Sequence, residues 1–173
     1  MIERYTNPEM GNIWSDQAKY QTWLDVEIAA CEANCKLGKI PQSAMETIRT
    51  KARFKPERIL EIEEEVRHDV IAFLTNVNEY VGDAGRYIHV GMTSSDVLDT
   101  GLALQLKSSV KLLRKELLLL EEAIRDLARQ HKSTVMIGRS HAIHGEPITV
   151  SYTHLRAHET KANLVCRLQL EKK

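Results

Sequence analysis

Eight apolar residues, Leu102, Leu106, Val110, Leu113, Leu117, Leu120, Ile124 and Leu127, step along the chain by four, four, three, four, three, four and three positions. A repeat averaging about 3.5 is the seam of a helix packed against other helices, and it constrains this chain more than any other feature. The helix carrying it is expected to begin near Asp96 and to continue to about His131. Leu112, Leu119 and Ala123 add a second stripe, so this helix wants neighbours on more than one side. The fold class implied is all-α: an N-terminal helical domain over residues 1–95, then the start of a long-helix bundle over residues 96–150.

The remainder of the first 95 residues also reads as helix. Residues 15–37 open on Ser15, carry Tyr20, Trp23, Leu24, Ile28, Cys31 and Cys35 at helical spacing, and stop at Gly38 with Pro41 beyond. A shorter helix runs through residues 43–48. Pro56 stands where a first-turn proline belongs, ahead of Ile59, Leu60 and Ile62. Val70, Ile71, Phe73, Leu74, Val77, Tyr80 and Val81 make another amphipathic run, ended by Gly82. No strand alternation and no internal repeat stands out.

Bulk properties exclude several classes of function. At 173 residues the chain is one domain by length, with room for part of a second. Formal net charge is zero and aromatic content 5%, whereas a nucleic-acid surface needs a basic stripe and stacking rings. No apolar run approaches the roughly 18 residues of a membrane span. The opening Met-Ile-Glu-Arg-Tyr has no apolar core of a secretory signal, so the cytoplasm is the expected compartment. Cys31 and Cys35 share a helical face and are expected to pack as small apolar residues, with no further ligands spaced for zinc.

Three polar clusters interrupt this scaffold. Thr93-Ser94-Ser95-Asp96 precedes the long helix, where hydroxyl residues serve as N-caps and exposed backbone N–H groups suit an anion such as a carboxylate. Arg67-His68-Asp69 stands at the start of another helix. There Asp69 suits a cap and His68 a surface position, while the three side chains together can also grip a phosphosugar. Gly138-Arg139-Ser140-His141-Ala142-Ile143-His144-Gly145-Glu146-Pro147 surrounds a histidine with hydroxyl, guanidinium and carboxylate groups, the setting of a proton-transfer residue. His141 and His144 are three apart, a weak match to any zinc pattern, and no metal is expected.

Taken together, Ile2-Glu3-Arg4-Tyr5-Thr6-Asn7-Pro8-Glu9-Met10, Arg67-His68-Asp69-Val70, Tyr87 through Thr100 and Gly138 through Pro147 closely resemble the adenylosuccinate lyases of the fumarase/aspartase superfamily. The resemblance covers about residues 1–150. It implies a β-elimination that releases fumarate from adenylosuccinate, giving AMP, and from the succinylated aminoimidazole carboxamide ribotide of purine synthesis. It further implies that Arg4 and Tyr5 hold the nucleotide phosphate, and that Arg67, His68 and Asp69 bind the phosphoribosyl part, His68 with an assisting role. Thr93 and Ser94 would hold a succinyl carboxylate with Ser95 nearby, His89 would contribute to substrate binding, and His141 would be the general acid. No cofactor is implied.

The same resemblance implies a homotetramer around a bundle of long helices, with active sites shared between subunits. In that family the catalytic base is a serine on a Gly/Ser-rich loop further downstream, a pattern this sequence does not contain. Residues 151–173 carry five Lys/Arg against two Asp/Glu and continue no helical pattern, so this tail is expected to be foreign to the family. The chain is accordingly expected to be an N-terminal portion, inactive alone and exposing its leucine seam. Two other readings remain open: a sister lyase resembling argininosuccinate lyase, and a non-catalytic helical interaction module.

Overall fold

The structure, a computed structural model, describes residues 2–141 and 143–151, the side chains of Glu3 and Ser140 excepted. Residues 152–173, including Cys166 and nearly all of the segment set apart above, lie outside the described residues. Helices dominate: α1 (Pro8–Ile13), α2 (Asp16–Lys36), α3 (Gln42–Lys51), α4 (Pro56–Val66), α5 (Asp69–Val81) and α6 (Ser94–Gln130). A 3-10 turn at Glu3–Tyr5 precedes α1, and another at Gly82–Tyr87 follows α5.

The boundaries follow from local chemistry. Ser15 caps α2 by accepting a hydrogen bond from the Ala18 N–H at 3.2 Å, and the chain leaves that helix through Gly38 at φ +72°. Pro56 occupies the first turn of α4, where its missing N–H costs nothing. The long helix begins at Ser94, two residues earlier than the apolar pattern indicates, because Thr93 and Asp96 close its first turn. At 37 residues, α6 is about 55 Å long.

The chain divides into two units, residues 1–112 and 113–173, so the division falls within α6 rather than at its start. The first unit holds a core of Tyr20, Trp23, Leu24, Cys31, Ile48, Ile59, Phe73, Val77 and Val97, all buried. Its centre is aromatic. Tyr20 and Phe73 stack at 6.0 Å, and Trp23 meets them edge-on at 5.2 and 5.5 Å. Cys31 behaves as the sequence suggests: it is buried, its Sγ lies 3.6 Å from the Tyr87 carbonyl, and burial pushes its thiol up to about 11.

The face that α6 buries in this unit is not the leucine stripe. Val97, Gly101, Gln105 and Ser109, four apart, line it. The Gln105 amide donates to the Ile13 carbonyl at 2.8 Å, satisfying one of the carbonyls left open at the end of α1. Leu102, Leu106, Val110, Leu113, Leu117 and Leu120 are all exposed, so the seam finds no partner among the described residues.

The second unit contains a hairpin that the helical reading did not anticipate. Strands β1 (Val135–Ser140) and β2 (Ile143–Thr149) pair antiparallel, with Val135 opposite Thr149 and Ser140 opposite Ile143, and the register shifts between Ile137 and Arg139. The all-α class stands, with this two-stranded element added to it.

Candidate functional site

Arg4 and Tyr5 sit in the first 3-10 turn, both exposed, with the guanidinium 4.7 Å over the phenol ring. Asn7 behind them caps α1 through a 3.2 Å bond from the Met10 N–H. A cation and a phenol at the start of the chain can bind an anionic group, but in the structure they are occupied with each other.

The Arg67-His68-Asp69 segment is a helix-to-helix corner. Arg67 ends α4 in the left-handed region, at φ +53°, its N–H donating to the Glu63 carbonyl at 2.8 Å. The cap of α5 is His68, not Asp69. Its Nδ1 accepts from the Ile71 N–H at 3.4 Å, while Asp69 stands in the first turn and accepts from the Val70 N–H at 2.7 Å. The same Nδ1 also lies 3.4 Å from Asp69 Oδ1, and the His68 side chain is 43% exposed.

Upstream of α6 the backbone turns sharply. His89 is left-handed at φ +67° and Gly91 at φ +79°. The His89 Nδ1 lies 2.6 Å from Oε1 of Glu27, which comes from the middle of α2 and is 1% exposed. Burial pushes the Glu27 carboxyl above the usual carboxylate range, and its contact with His89 opposes that rise. Its Oε2 is buried with no partner among the described residues.

At the start of α6 the Thr93 N–H donates to Asp96 Oδ2 at 2.7 Å, and the Thr93 hydroxyl reaches the same oxygen at 3.2 Å. In return, the Asp96 N–H donates to the Thr93 carbonyl at 3.1 Å. This is a variant capping box with aspartate at the third helical position. Ser94 and Ser95 occupy the first turn, where backbone N–H groups lack intrahelical acceptors and can face an anion.

His141 belongs to the second unit. It is exposed at the tip between β1 and β2, at φ +51°, the sign that a two-residue hairpin loop imposes on its first residue. His144 stands on β2 opposite Arg139. Among the described residues no three His, Cys, Asp or Glu side chains cluster as metal ligands would.

Arg4 with Tyr5, the Arg67-His68-Asp69 corner, and Thr93 with Asp96 each have partners in their own segment, whereas the partner of His89 is 62 residues away. Glu27 escaped the sequence reading. Its signal was a carboxylate lying on the same helical face as Tyr20, Trp23, Leu24 and Cys31, a placement that demands a polar partner. A cavity of about 240 Å³ lined by Glu32, Cys35, Gln42, Met45 and Arg49 contains none of the candidate substrate-binding or catalytic residues.

Helices of this order make an all-α scaffold with hydroxyl and histidine clusters at helix ends, and residues 3–169 match the sequence profile of the Lyase family. The chain belongs to that family. The match runs past residue 150, into the segment whose sequence looks different. The chain is 68% identical over 152 residues to the adenylosuccinate lyase of Synechocystis sp., covering 88% of this chain and 35% of that protein. With the adenylosuccinate lyase of Bacillus subtilis it shares 46% over 165 residues, 95% of this chain and 38% of the relative. The chain thus spans somewhat over a third of the length of the curated relatives it matches.

Solved structures agree on the fold. A fumarate lyase from Mesorhizobium sp. BNC1 superposes with a TM-score of 0.78 at 30% identity, over 86% of this chain and 36% of the other. A 3-carboxy-cis,cis-muconate lactonizing enzyme from Pseudomonas putida gives 0.80 at 30% identity, over 87% and 36%. No helix among the described residues is long and apolar enough to cross a membrane.

Proposed function

We propose that this chain is the N-terminal part of an adenylosuccinate lyase of purine nucleotide synthesis. The whole enzyme releases fumarate from adenylosuccinate, giving AMP, and from the succinylated aminoimidazole carboxamide ribotide. The observation that carries this reading is the 68% identity with the Synechocystis enzyme over 152 residues.

In the elimination, a base removes a proton from the carbon beside a succinyl carboxylate, the C–N bond breaks, and an acid delivers a proton to the departing nitrogen. The carbanion formed is stabilised by donors fixed around its carboxylate, the role of Thr93, Ser94 and Ser95 at the start of α6. The pull of a helix N-terminus is worth only about 0.3–1 kcal/mol when exposed, so it positions the anion rather than supplying the rate. Arg4 and Tyr5 take the phosphate, and Arg67, His68 and Asp69 the phosphoribosyl part. His141, the general acid, contributes about 10²–10⁴ in rate.

The base is a serine contributed by a downstream loop that these 173 residues do not include. The working enzyme is a cytoplasmic homotetramer in which partner helices cover the leucine stripe of α6, and His141 serves a site on a neighbouring subunit. The test is to read the source DNA across codon 150, express the complete frame, and follow fumarate release from adenylosuccinate. The complete protein is expected to turn over adenylosuccinate and not argininosuccinate, and the 173-residue chain to release no fumarate. Fumarate from the purified 173-residue chain, or a complete frame inert on adenylosuccinate, overturns the reading.

A further inference from the structure

We propose that Glu27 is a positioning residue for His89: it accepts the hydrogen bond of Nδ1–H, so that the imidazole offers Nε2 as an acceptor to a proton-bearing group of the bound nucleotide. This rests on the reading of the site as a nucleotide-processing one, and it adds a residue that no motif of the sequence includes.

Three observations converge on the contact. First, the geometry is tight and one-sided. Glu27 Oε1 and His89 Nδ1 are 2.6 Å apart, Glu27 is 1% exposed, and the His89 side chain remains 21% exposed. A carboxylate accepting at Nδ1 favours the Nδ1–H tautomer and leaves Nε2 as the free nitrogen of a ring that stays partly exposed.

Second, the fold incurs two costs at this one place. A carboxylate on the helix face of Trp23, Leu24 and Cys31, whose Oε2 has no partner among the described residues, is the kind of buried charge that a well-packed leucine would replace without loss of stability. Burial also raises the Glu27 carboxyl, the expected consequence of holding a charge there. His89 meanwhile adopts a left-handed backbone, at φ +67°, which a non-glycine residue enters at a penalty.

Third, the location is telling. His89 lies two residues before Gly91 and four before Thr93, so the ring is anchored from α2 at the very turn that leads into the first residues of α6. A staple between α2 and this turn could be made by any apolar pair. A carboxylate adds something an apolar pair cannot: a single tautomer and a single ring orientation. That is how a second residue tunes a histidine that must meet a ligand.

The experiment is nitrogen-15 NMR of the imidazole groups in the 173-residue chain, above the pH at which His89 is neutral, on the wild type, Glu27→Leu and Glu27→Gln. The wild type should show His89 protonated at Nδ1, with that proton exchanging slowly. Glu27→Leu should move the proton predominantly to Nε2, and Glu27→Gln, whose carbonyl can still accept, should restore the Nδ1–H form. A wild-type His89 protonated at Nε2 overturns the proposal without any variant, so a leucine variant that fails to fold does not shelter it.

Titration with AMP supplies the second reading. Preorganising one ring is worth about three- to tenfold in affinity, so Glu27→Leu should weaken AMP by that factor and Glu27→Gln should recover it. Equal affinity in all three proteins, with the tautomer changed, overturns the positioning role. A wild type with the Nδ1–H tautomer in place and no response to AMP counts against the nucleotide reading of the site, while the tautomer result still decides the Glu27 assignment.

Discussion

Replacing Gly101 with alanine sets two effects of known sign against each other. In the interior of a helix, alanine is favoured over glycine by about 1 kcal/mol through backbone entropy. At an open position the substitution would therefore stabilise α6. Position 101 is not open: a β-carbon there lies 2.8 Å from Cδ1 and 3.2 Å from Nε1 of Trp23, and 3.1 Å from the Thr22 hydroxyl. Carbon atoms settle at about 3.5–4.0 Å, so the indole would have to retreat by roughly 1 Å.

It has little room to do so. Trp23 is buried, with Tyr20 at 5.2 Å and Phe73 at 5.5 Å on its other sides. Overpacking of this kind costs about 1–3 kcal/mol, which outweighs the propensity gain and leaves a net loss of roughly 0–2 kcal/mol. Urea unfolding followed by circular dichroism should show a lower midpoint with the slope unchanged. Ser108→Ala, at an exposed position of the same helix, gives up only a hydroxyl bond back to the Leu104 carbonyl at 3.0 Å and gains propensity, so it should not lower it. In a Trp23→Leu background, the alanine at 101 should lose most of its penalty, a coupling of about 1 kcal/mol. A raised midpoint in the wild-type background, or the same shift in both, would refute the close approach of α2 and α6.

Two further outcomes follow from the same unit. Gly82 ends α5 at φ +65° and ψ −137°, a region open essentially to glycine alone, and nothing lies within 4 Å of a β-carbon placed there. Gly82→Ala should therefore destabilise by about 1–3 kcal/mol through backbone strain alone, and a thermal midpoint equal to wild type would contradict that conformation. Glu79 on α5 accepts from Arg58 at 2.9 and 3.1 Å and from the Asn76 amide at 2.9 Å, which hold its carboxyl below the usual carboxylate range. A depressed native pKa gives stability that is present above the unfolded value, about 4.3, and lost as pH falls through the native one. The difference in thermal midpoint between wild type and Glu79→Gln should thus be largest near neutrality and shrink as pH falls below the unfolded value; a difference independent of pH would show that the ion pair is not its source.

What the sequence discloses, and what it hides, divides along the range of the interactions involved. The ends of α2, α4 and α5 are legible because Ser15, Pro56, Gly38 and Gly82 act within a turn of their own position. Thr93 and Asp96 are legible for the same reason, although their reciprocal bond moves the start of α6 back to Ser94. At the next corner the identity of the cap shifts by one residue, since an imidazole Nδ1 can accept from a backbone N–H as a carboxylate does. The hairpin is hidden because Gly138, Gly145 and Pro147 break up its β-branched residues, so no alternation survives to mark two strands.

Periodicity has a different blind spot: it reveals which face of a helix is apolar, not which face is used. In the first unit α6 packs through Val97, Gly101, Gln105 and Ser109, a narrow strip of small and polar residues, because only a side as shallow as Gly101 lets Trp23 approach. The leucines, the loudest signal in the sequence, stay exposed in the described residues. Glu27 inverts that case. On α2 it is a silent exception within an apolar stripe, and its meaning depends on His89, 62 residues away. A one-dimensional pattern carries burial well, since burial is a property of one helix face, but it carries pairing poorly, since a pair across 62 residues leaves no local period. The candidate site is built mostly of such exceptions, so a charged residue on an apolar stripe is the first place to look for the partner of a functional histidine.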